Sequence, residues 1–333
     1  MKKSPYHHII LLLITLLTVS LSEVGAQTHR ILPLGNSLTQ GWGSLPMDER
    51  VSYRLQLLDT MDTSGYTIDF VGHSTSGTTL LTDPEHGGIP DSHDSYVLNL
   101  LQDGWDAQNN IQITPGSVPY LDIYPADIIL LHIGTNDILD GEAPSADTIF
   151  MILDEIDAWE ATNGSPVTVF VAGIVNTFPK NPVITQFNTN VASMVTLRND
   201  PTVIFVDMET TPGILYGADF EPDGIHLLQS GYDKMGGGWY TAIDAYLANI
   251  PEAPSNITFG TVTSNSIVVN WTINSFTETG FEIERSLTPN SGDFVLDGTV
   301  GAGVSSYTSS SLNSNTQYYY RVRAVNATGN NIG

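Results

Sequence analysis

Five apolar runs separated by longer amphipathic stretches constrain this chain more than any other feature. They are "RILPLG" from Arg30, "YTIDFVG" from Tyr66, "ADIILLHIG" from Ala126, "PVTVFVAGI" from Pro166 and "TVIFVDM" from Thr202. The later runs are apolar at successive positions rather than at alternate ones, which is the pattern of strands buried on both faces of a parallel sheet. Helical spacing lies between them: Val51, Leu55, Leu58 and Met61 in "DERVSYRLQLLDTMDTSG", then "SADTIFMILDEIDAWEATNG" and "NPVITQFNTNVASMVTLRND". Strands alternating with helices, joined by right-handed crossovers, predict an α/β fold with an open, doubly wound parallel sheet of flavodoxin-like strand order. A last helix starting near Ser230 closes this unit, although its three consecutive glycines disfavour a helix.

The start of the chain has a different character. "MKKSPYHHIILLLITLLTVSLSEVGAQ" places two lysines before an apolar run from Ile9 to Leu21, followed by Val24 and Ala26. That is the layout of a signal peptide over residues 1–26, cut after Ala26 and directing secretion to an extracellular or periplasmic location. The run is short for a membrane span and no basic cluster follows, so no membrane insertion is expected once the signal is removed. The chain has no cysteine, which excludes thiol catalysis and a Cys-ligated zinc. Its 36 acidic and 11 basic residues give a formal charge of −25, a surface that repels nucleic acid and anionic membranes.

The predicted α/β unit spans residues 27–249. Beyond a linker at 250–255, marked by Pro251 and Pro254, the composition turns to Ser, Thr and Asn with apolar residues at alternate positions. "SIVVNWTI", "GFEIERS", "SSYTSSSL" and "QYYYRVRAV" read as strands of an all-β sandwich over 256–333. Trp271, Tyr318, Tyr320 and Val322 resemble those of a fibronectin type III domain. Gly333 comes where such a domain still needs its last strand, so the domain is expected to be incomplete and the sequence a fragment.

Open parallel sheets bind ligands beyond the carboxyl ends of their strands. There the chain carries Ser37 in "GNSLT", the loop "HGGIPDSHD" from His86, Asn136 in "GTND", and Asp223 and His226 in "DGIH". A serine hydroxyl needs a base to become a nucleophile, and His226 can take that proton. Asp223, three residues earlier, can orient the imidazole and stabilise its protonated form. The Ser37 main-chain N–H, the Asn136 amide and a loop N–H near Gly88 can supply an oxyanion hole.

"GNSLT", "GTND" and "DGIH" resemble blocks one, three and five of the SGNH (GDSL-type) hydrolases. "ILPLGNSLTQG", "IDFVG" and "ADIILLHIGTNDI" look closest to the acetylxylan-esterase-like branch, over roughly residues 30–248. The resemblance implies a serine esterase that needs no cofactor or metal, with Ser37 as nucleophile, His226 as base, Asp223 as orienting acid and Asn136 as oxyanion donor. It further implies removal of short acyl groups, acetyl foremost, from a carbohydrate such as acetylated xylan. Two alternatives stand beside it: a lipolytic or thioester hydrolase using the same residues, and a carbohydrate-binding protein without activity.

The chain departs from the family at three places. Asn36 stands where an aspartate is usual, Leu227 where a proline often follows the histidine, and Asp91 where a His-x-Gly-x-x-Gly run would end in glycine. Two rival readings involve other residues. "GHSTS" imitates a nucleophile elbow at Ser74 but lacks its closing glycine and helix. His86, Asp91, His93 and Asp94 together suggest a metal cluster, yet their loop spacing suits solvated residues or sugar contacts better.

Overall fold

The computed structural model describes residues 28–289, 293–326 and 330–332, so the expected signal peptide lies outside the described residues. None of the described helices is long and apolar enough to cross a membrane.

Strand β1 (Thr28–Gly35) forms the centre of a seven-stranded sheet with β2 (Thr67–Phe70), β3 (Ser74–Thr75), β4 (Glu85–Gly88), β7 (Ile128–His132), β8 (Thr168–Gly173) and β9 (Val203–Asp207). A small ribbon, β5 (Trp105–Asp106) with β6 (Ile111–Gln112), lies apart from it. The five runs read from the sequence are β1, β2, β7, β8 and β9. Their pairing, with β2 and β7 flanking β1 and then β8 and β9, is parallel throughout and has the expected flavodoxin-like order. An addition is β4, which pairs in parallel with the second half of β1 (Leu34 with Gly87, Gly35 with Gly88) where β2 leaves off. "EHGG" has none of the β-branched residues that mark a strand, so tertiary pairing overrides its propensity.

Alternation along each strand feeds two apolar layers. Leu32, Leu34, Ile129 and Leu131 face a core built with helices α3 (Asp94–Asp103), α6 (Asp147–Asn163) and α7 (Pro182–Arg198). Ile31, Ile128 and Leu130 face the other, against α2 (Arg54–Thr63) and α8 (Gln229–Leu247). Shorter helices α1 (Ser37–Gln40), α4 (Tyr120–Ile123) and α5 (Thr135–Leu139) follow the strands or loops.

Two local expectations change. The buried face of α2 carries Arg54, Leu57 and Met61, while Leu55 and Leu58 are only half-buried. The three glycines do not interrupt α8, because two of them allow close packing. A Cβ at Gly236 would lie 2.7 Å from the Tyr53 carbonyl oxygen, and one at Gly238 would lie 2.9 Å from Pro212 Cγ.

In the second domain, β10 (Ser255–Val262), β11 (Ile267–Thr272) and β14 (Ser306–Ser309) form one antiparallel sheet. The other contains β12 (Gly280–Ser286), β13 (Val295–Gly301), β15 (Tyr319–Val325) and β16 (Asn330–Ile332). Trp271 packs on Phe281 with ring centroids 5.4 Å apart, and Ile283, Val322 and Ala324 complete the core. A short strand, β16, pairs antiparallel with β15 over three residues.

Candidate active site

β1 ends at Gly35, where a side chain has no space: a Cβ would sit 2.2 Å from the carbonyl oxygen of His132 on β7. The chain then turns into α1. Asn36 caps this helix, its Oδ1 accepting the Leu38 N–H at 3.1 Å. Asn36 is fully buried. An amide makes the cap without placing a carboxylate charge in the interior, which gives the departure from aspartate a physical basis. Ser37 is the first residue of α1. Its N–H is therefore one of the helix-end donors without an intrahelical partner.

The segment after β9 brings in the base. His226 Nε2 lies 2.9 Å from Ser37 Oγ, and His226 Nδ1 lies 2.7 Å from Asp223 Oδ2. Asp223 Oδ1 accepts the N–H groups of Ile225 at 2.8 Å and His226 at 3.0 Å. Burial raises the Asp223 pKa, but the His226 ring and these two N–H donors outweigh it and hold the carboxyl below its ordinary value. The turn itself is pinned. Glu221 N–H donates to the His226 carbonyl at 2.9 Å, and Leu228 N–H donates to that of Asp219 at 2.8 Å. Asp219, absent from the sequence reading, accepts Lys234 Nζ at 2.5 Å and Ser230 Oγ at 2.8 Å. Leu227, in place of proline, is buried in the core.

Asn136 belongs to α5, which starts after Gly134. That glycine has φ +117°, and a Cβ there would strike the Phe187 ring at 2.6 Å. Asn136 Nδ2 donates to the Ser92 carbonyl at 2.8 Å. One of its two amide protons is thereby used to orient the group, and the second remains for a ligand.

Gly88 does not meet the expectation of a free donor. Its N–H donates to His86 Nδ1 at 3.0 Å, and a Cβ on it would lie 2.9 Å from Thr39 Cβ, so its role is to let β4 pack against α1. The loop residue that meets Asn136 is Ser92, and Asp91 directly precedes it. Asp91 has φ +60°, in the left-handed region that favours glycine, and its side chain is exposed. This fits a position where similar proteins carry glycine, and it turns the carboxylate to solvent.

His86 is a buried scaffold residue. Because Nδ1 accepts the Gly88 N–H, the proton resides on Nε2, which donates to Ser76 Oγ at 3.1 Å. Ser76 Oγ also accepts Arg54 Nη2 at 2.6 Å and donates to the Gln40 carbonyl at 2.8 Å, so both hydroxyl lone pairs and its proton are used. Burial, and then the charge of Arg54, keep the His86 pKa well below the ordinary value. Arg54 is itself fully buried and donates to the Pro84 carbonyl at 2.6 Å, and burial lowers its pKa to about 10. The end of α1 at Gln40, the Ser76 segment and the start of β4 are tied together through this guanidinium.

The rival readings separate likewise. Ser74 lies in β3, paired antiparallel with β4, and forms no strand-to-helix elbow. The four-residue cluster does not assemble, because His86 is buried in its own network and Asp91 is exposed. His93 instead meets carboxylates from α5 and the residues just after it: Asp137 at 3.3 Å, Asp140 at 3.0 Å and Glu142 at 3.6 Å. Asp94 N–H donates to Asp137 Oδ1 at 3.1 Å. The donor atoms of His93, Asp137 and Glu142 lie within 4.8 Å of one another, and His93 Nε2 is hydrogen-bonded to Asp140 Oδ2.

The motif reading also stopped short of Trp42. This residue is 41% exposed, with its ring centroid 6.3 Å from that of His226. A cavity of about 200 Å³ beside it is bounded by Gly43, Leu45, Arg50 and Glu221, among others.

A family model for GDSL-like lipase/acylhydrolase matches residues 31–239, and one for the fibronectin type III domain matches 252–332. A curated relative, a multidomain esterase from Ruminococcus flavefaciens, is 29% identical over 236 residues; the match covers 67% of this chain and 29% of the relative. The chain thus spans under a third of that protein. The solved structure of a Clostridium thermocellum family 3 carbohydrate esterase is 28% identical, covering 67% of this chain and 98% of that one, with a TM-score of 0.54. A carbohydrate esterase family 3 structure from Talaromyces cellulolyticus shares the fold at 20% identity and a TM-score of 0.51, over 67% of this chain and 99% of its own. The chain belongs to the GDSL-like lipase/acylhydrolase family and carries a fibronectin type III domain after that unit.

Proposed function

We propose that the protein is a carboxylic ester hydrolase that removes short acyl groups, acetyl foremost, from a carbohydrate such as acetylated xylan, and that it acts after secretion. The observation that carries this reading is the Ser37–His226–Asp223 relay, with 2.9 Å and 2.7 Å between successive partners. The names of the multidomain esterase and the family 3 carbohydrate esterases support a carbohydrate ester as substrate. The basic and apolar start of the chain supports export.

In this mechanism His226 Nε2 takes the Ser37 proton as Oγ attacks the ester carbonyl. The imidazolium that forms is stabilised by Asp223. The negative charge on the former carbonyl oxygen is met by the Ser37 N–H, the second Asn136 amide proton and the Asp91 N–H. Asp91 replaces Gly88 in this role, since the Gly88 N–H is already engaged. The tetrahedral intermediate collapses to an acyl-serine as His226 protonates the departing sugar oxygen. Water, deprotonated by the same histidine, then releases acetate and regenerates Ser37.

The test is acetate release from acetylated xylan and from p-nitrophenyl acetate by wild type and Ser37→Ala. Release from both substrates, lowered by several orders of magnitude in the variant, is expected. Turnover of the small ester alone shifts the substrate class toward lipids or other esters, and near-normal turnover by Ser37→Ala removes the serine mechanism.

A further inference from the structure

Trp42 combines exposure with rigidity in a way that core packing does not require. It follows Gly41, the residue that ends α1, and its N–H donates to the Ser37 carbonyl at 2.9 Å. Its own carbonyl accepts Tyr232 Oη at 2.9 Å. The Arg50 guanidinium carbon lies 4.3 Å from the indole centroid, and Arg50 Nε is anchored on the Leu45 carbonyl at 2.8 Å. Arg50 therefore backs one face of the ring, while the residue as a whole stays 41% exposed. A flat apolar surface held in place before binding loses little entropy when it is used.

The adjoining cavity adds polarity. Glu221 Oε1 accepts the Ser44 N–H at 3.0 Å and Ser44 Oγ at 2.9 Å, which fixes the carboxylate at the rim. A carboxylate has room for about four donors, so Glu221 retains acceptor capacity for a ligand hydroxyl. An apolar plate beside a fixed carboxylate matches a pyranose, which presents C–H groups on one face and hydroxyls around its edge. An acyl chain would leave the carboxylate desolvated and without a donor.

We infer that Trp42 is the sugar-binding platform of this site, stacking a pyranose ring of the substrate beside His226 while Glu221 accepts one of its hydroxyls. The inference rests on the esterase reading above and adds the residues that select carbohydrate esters over other esters.

The experiment compares kcat/KM on acetylated xylo-oligosaccharides with kcat/KM on p-nitrophenyl acetate, which has no pyranose to stack. Wild type, Trp42→Ala, Trp42→Phe and Glu221→Gln are measured side by side. In Trp42→Ala the oligosaccharide-to-small-ester ratio is expected to fall about tenfold or more through a raised oligosaccharide KM, with Trp42→Phe restoring most of it. Glu221→Gln, which keeps the shape and loses the charge, is expected to lower the same ratio by a smaller factor. A ratio unchanged in Trp42→Ala, whether both activities fall together or neither does, overturns the platform. So does a wild type that hydrolyses the small ester and ignores the oligosaccharide. Silence of wild type on both substrates instead marks failure of the esterase reading, which keeps the two outcomes apart.

Discussion

Asn136 Nδ2 donates to the main-chain carbonyl of Ser92 across 2.8 Å, and this bond joins α5, after β7, to the loop after β4. It orients the amide and holds Asp91, the residue before Ser92, at the same rim. Asn136→Ala removes both the orientation and the donor. We expect kcat on p-nitrophenyl acetate to fall about 10²–10³-fold with a much smaller change in KM, since the interaction develops with the oxyanion. A loss confined to KM would mean that Asn136 binds substrate without stabilising the transition state.

Asp223 acts through His226. Its Oδ2 fixes the Nδ1–H tautomer, leaving Nε2 free to accept the Ser37 proton. Asp223→Asn keeps the size of the side chain but can present an N–H to the ring and favour the wrong tautomer. We expect kcat to fall on the order of 10³–10⁴-fold. Near-neutral rates within tenfold of wild type would show that the main-chain environment alone orients His226.

The strands were legible because burial on both faces leaves an uninterrupted apolar signature, as in Ile128–Leu131. Ser37, Asn136 and the Asp223–His226 pair were legible because each follows a strand of the same parallel sheet. The second-block donor was not. "HGGIPD" offers two glycines, and spacing does not show that Gly88 serves packing while Asp91 adopts the left-handed turn. Arg54 was hidden for a different reason. An arginine reads as a surface residue in a helical pattern, and only its phase with Leu57 and Met61 places it on the buried side of α2. Trp42 lies just beyond the motif, where neither strand nor helix periodicity assigns a side chain.

The Arg54–Ser76–His86 network makes a stability prediction. His86→Ala leaves the Gly88 N–H without its acceptor, Ser76 with one donor fewer, and a cavity where the ring stood. A cost of about 3 kcal/mol is expected from the lost bonds and the cavity. For a domain of this size that lowers the unfolding midpoint by roughly 6–12 °C. Arg54→Met strips the Pro84 carbonyl and Ser76 Oγ of donors and should cost at least as much. Thermal unfolding followed by circular dichroism checks both, and a midpoint within about 2 °C of wild type would show that water replaces the lost partners.

The last prediction concerns pH and the junction of the two site loops. Burial, followed by the neighbouring charge of Asp137, raises the Asp94 carboxyl to about 7, with Glu142 adding to the effect. His93 faces the same carboxylates, and Asp140 lies on its other ring nitrogen. The unfolded chain loses the Asp94 proton near pH 3.9, whereas the folded protein keeps it to about pH 7. Between those values the native state binds the extra proton, so this group's contribution to stability falls as pH rises and levels off above about 7. Asp94→Asn keeps the shape and removes the titration. Its stability relative to wild type should therefore increase between pH 5.5 and pH 7.5. Asp83, raised to about 6 by its burial and by Glu85, titrates in both proteins and cancels in the comparison. A difference in unfolding midpoint that stays constant over this range would exclude the raised Asp94 carboxyl. Because Asp94 lies two residues after Ser92 and Asp137 directly after Asn136, the same pH window should loosen the Asn136–Ser92 bond, and kcat should respond to Asp94→Asn more at pH 7.5 than at pH 5.5.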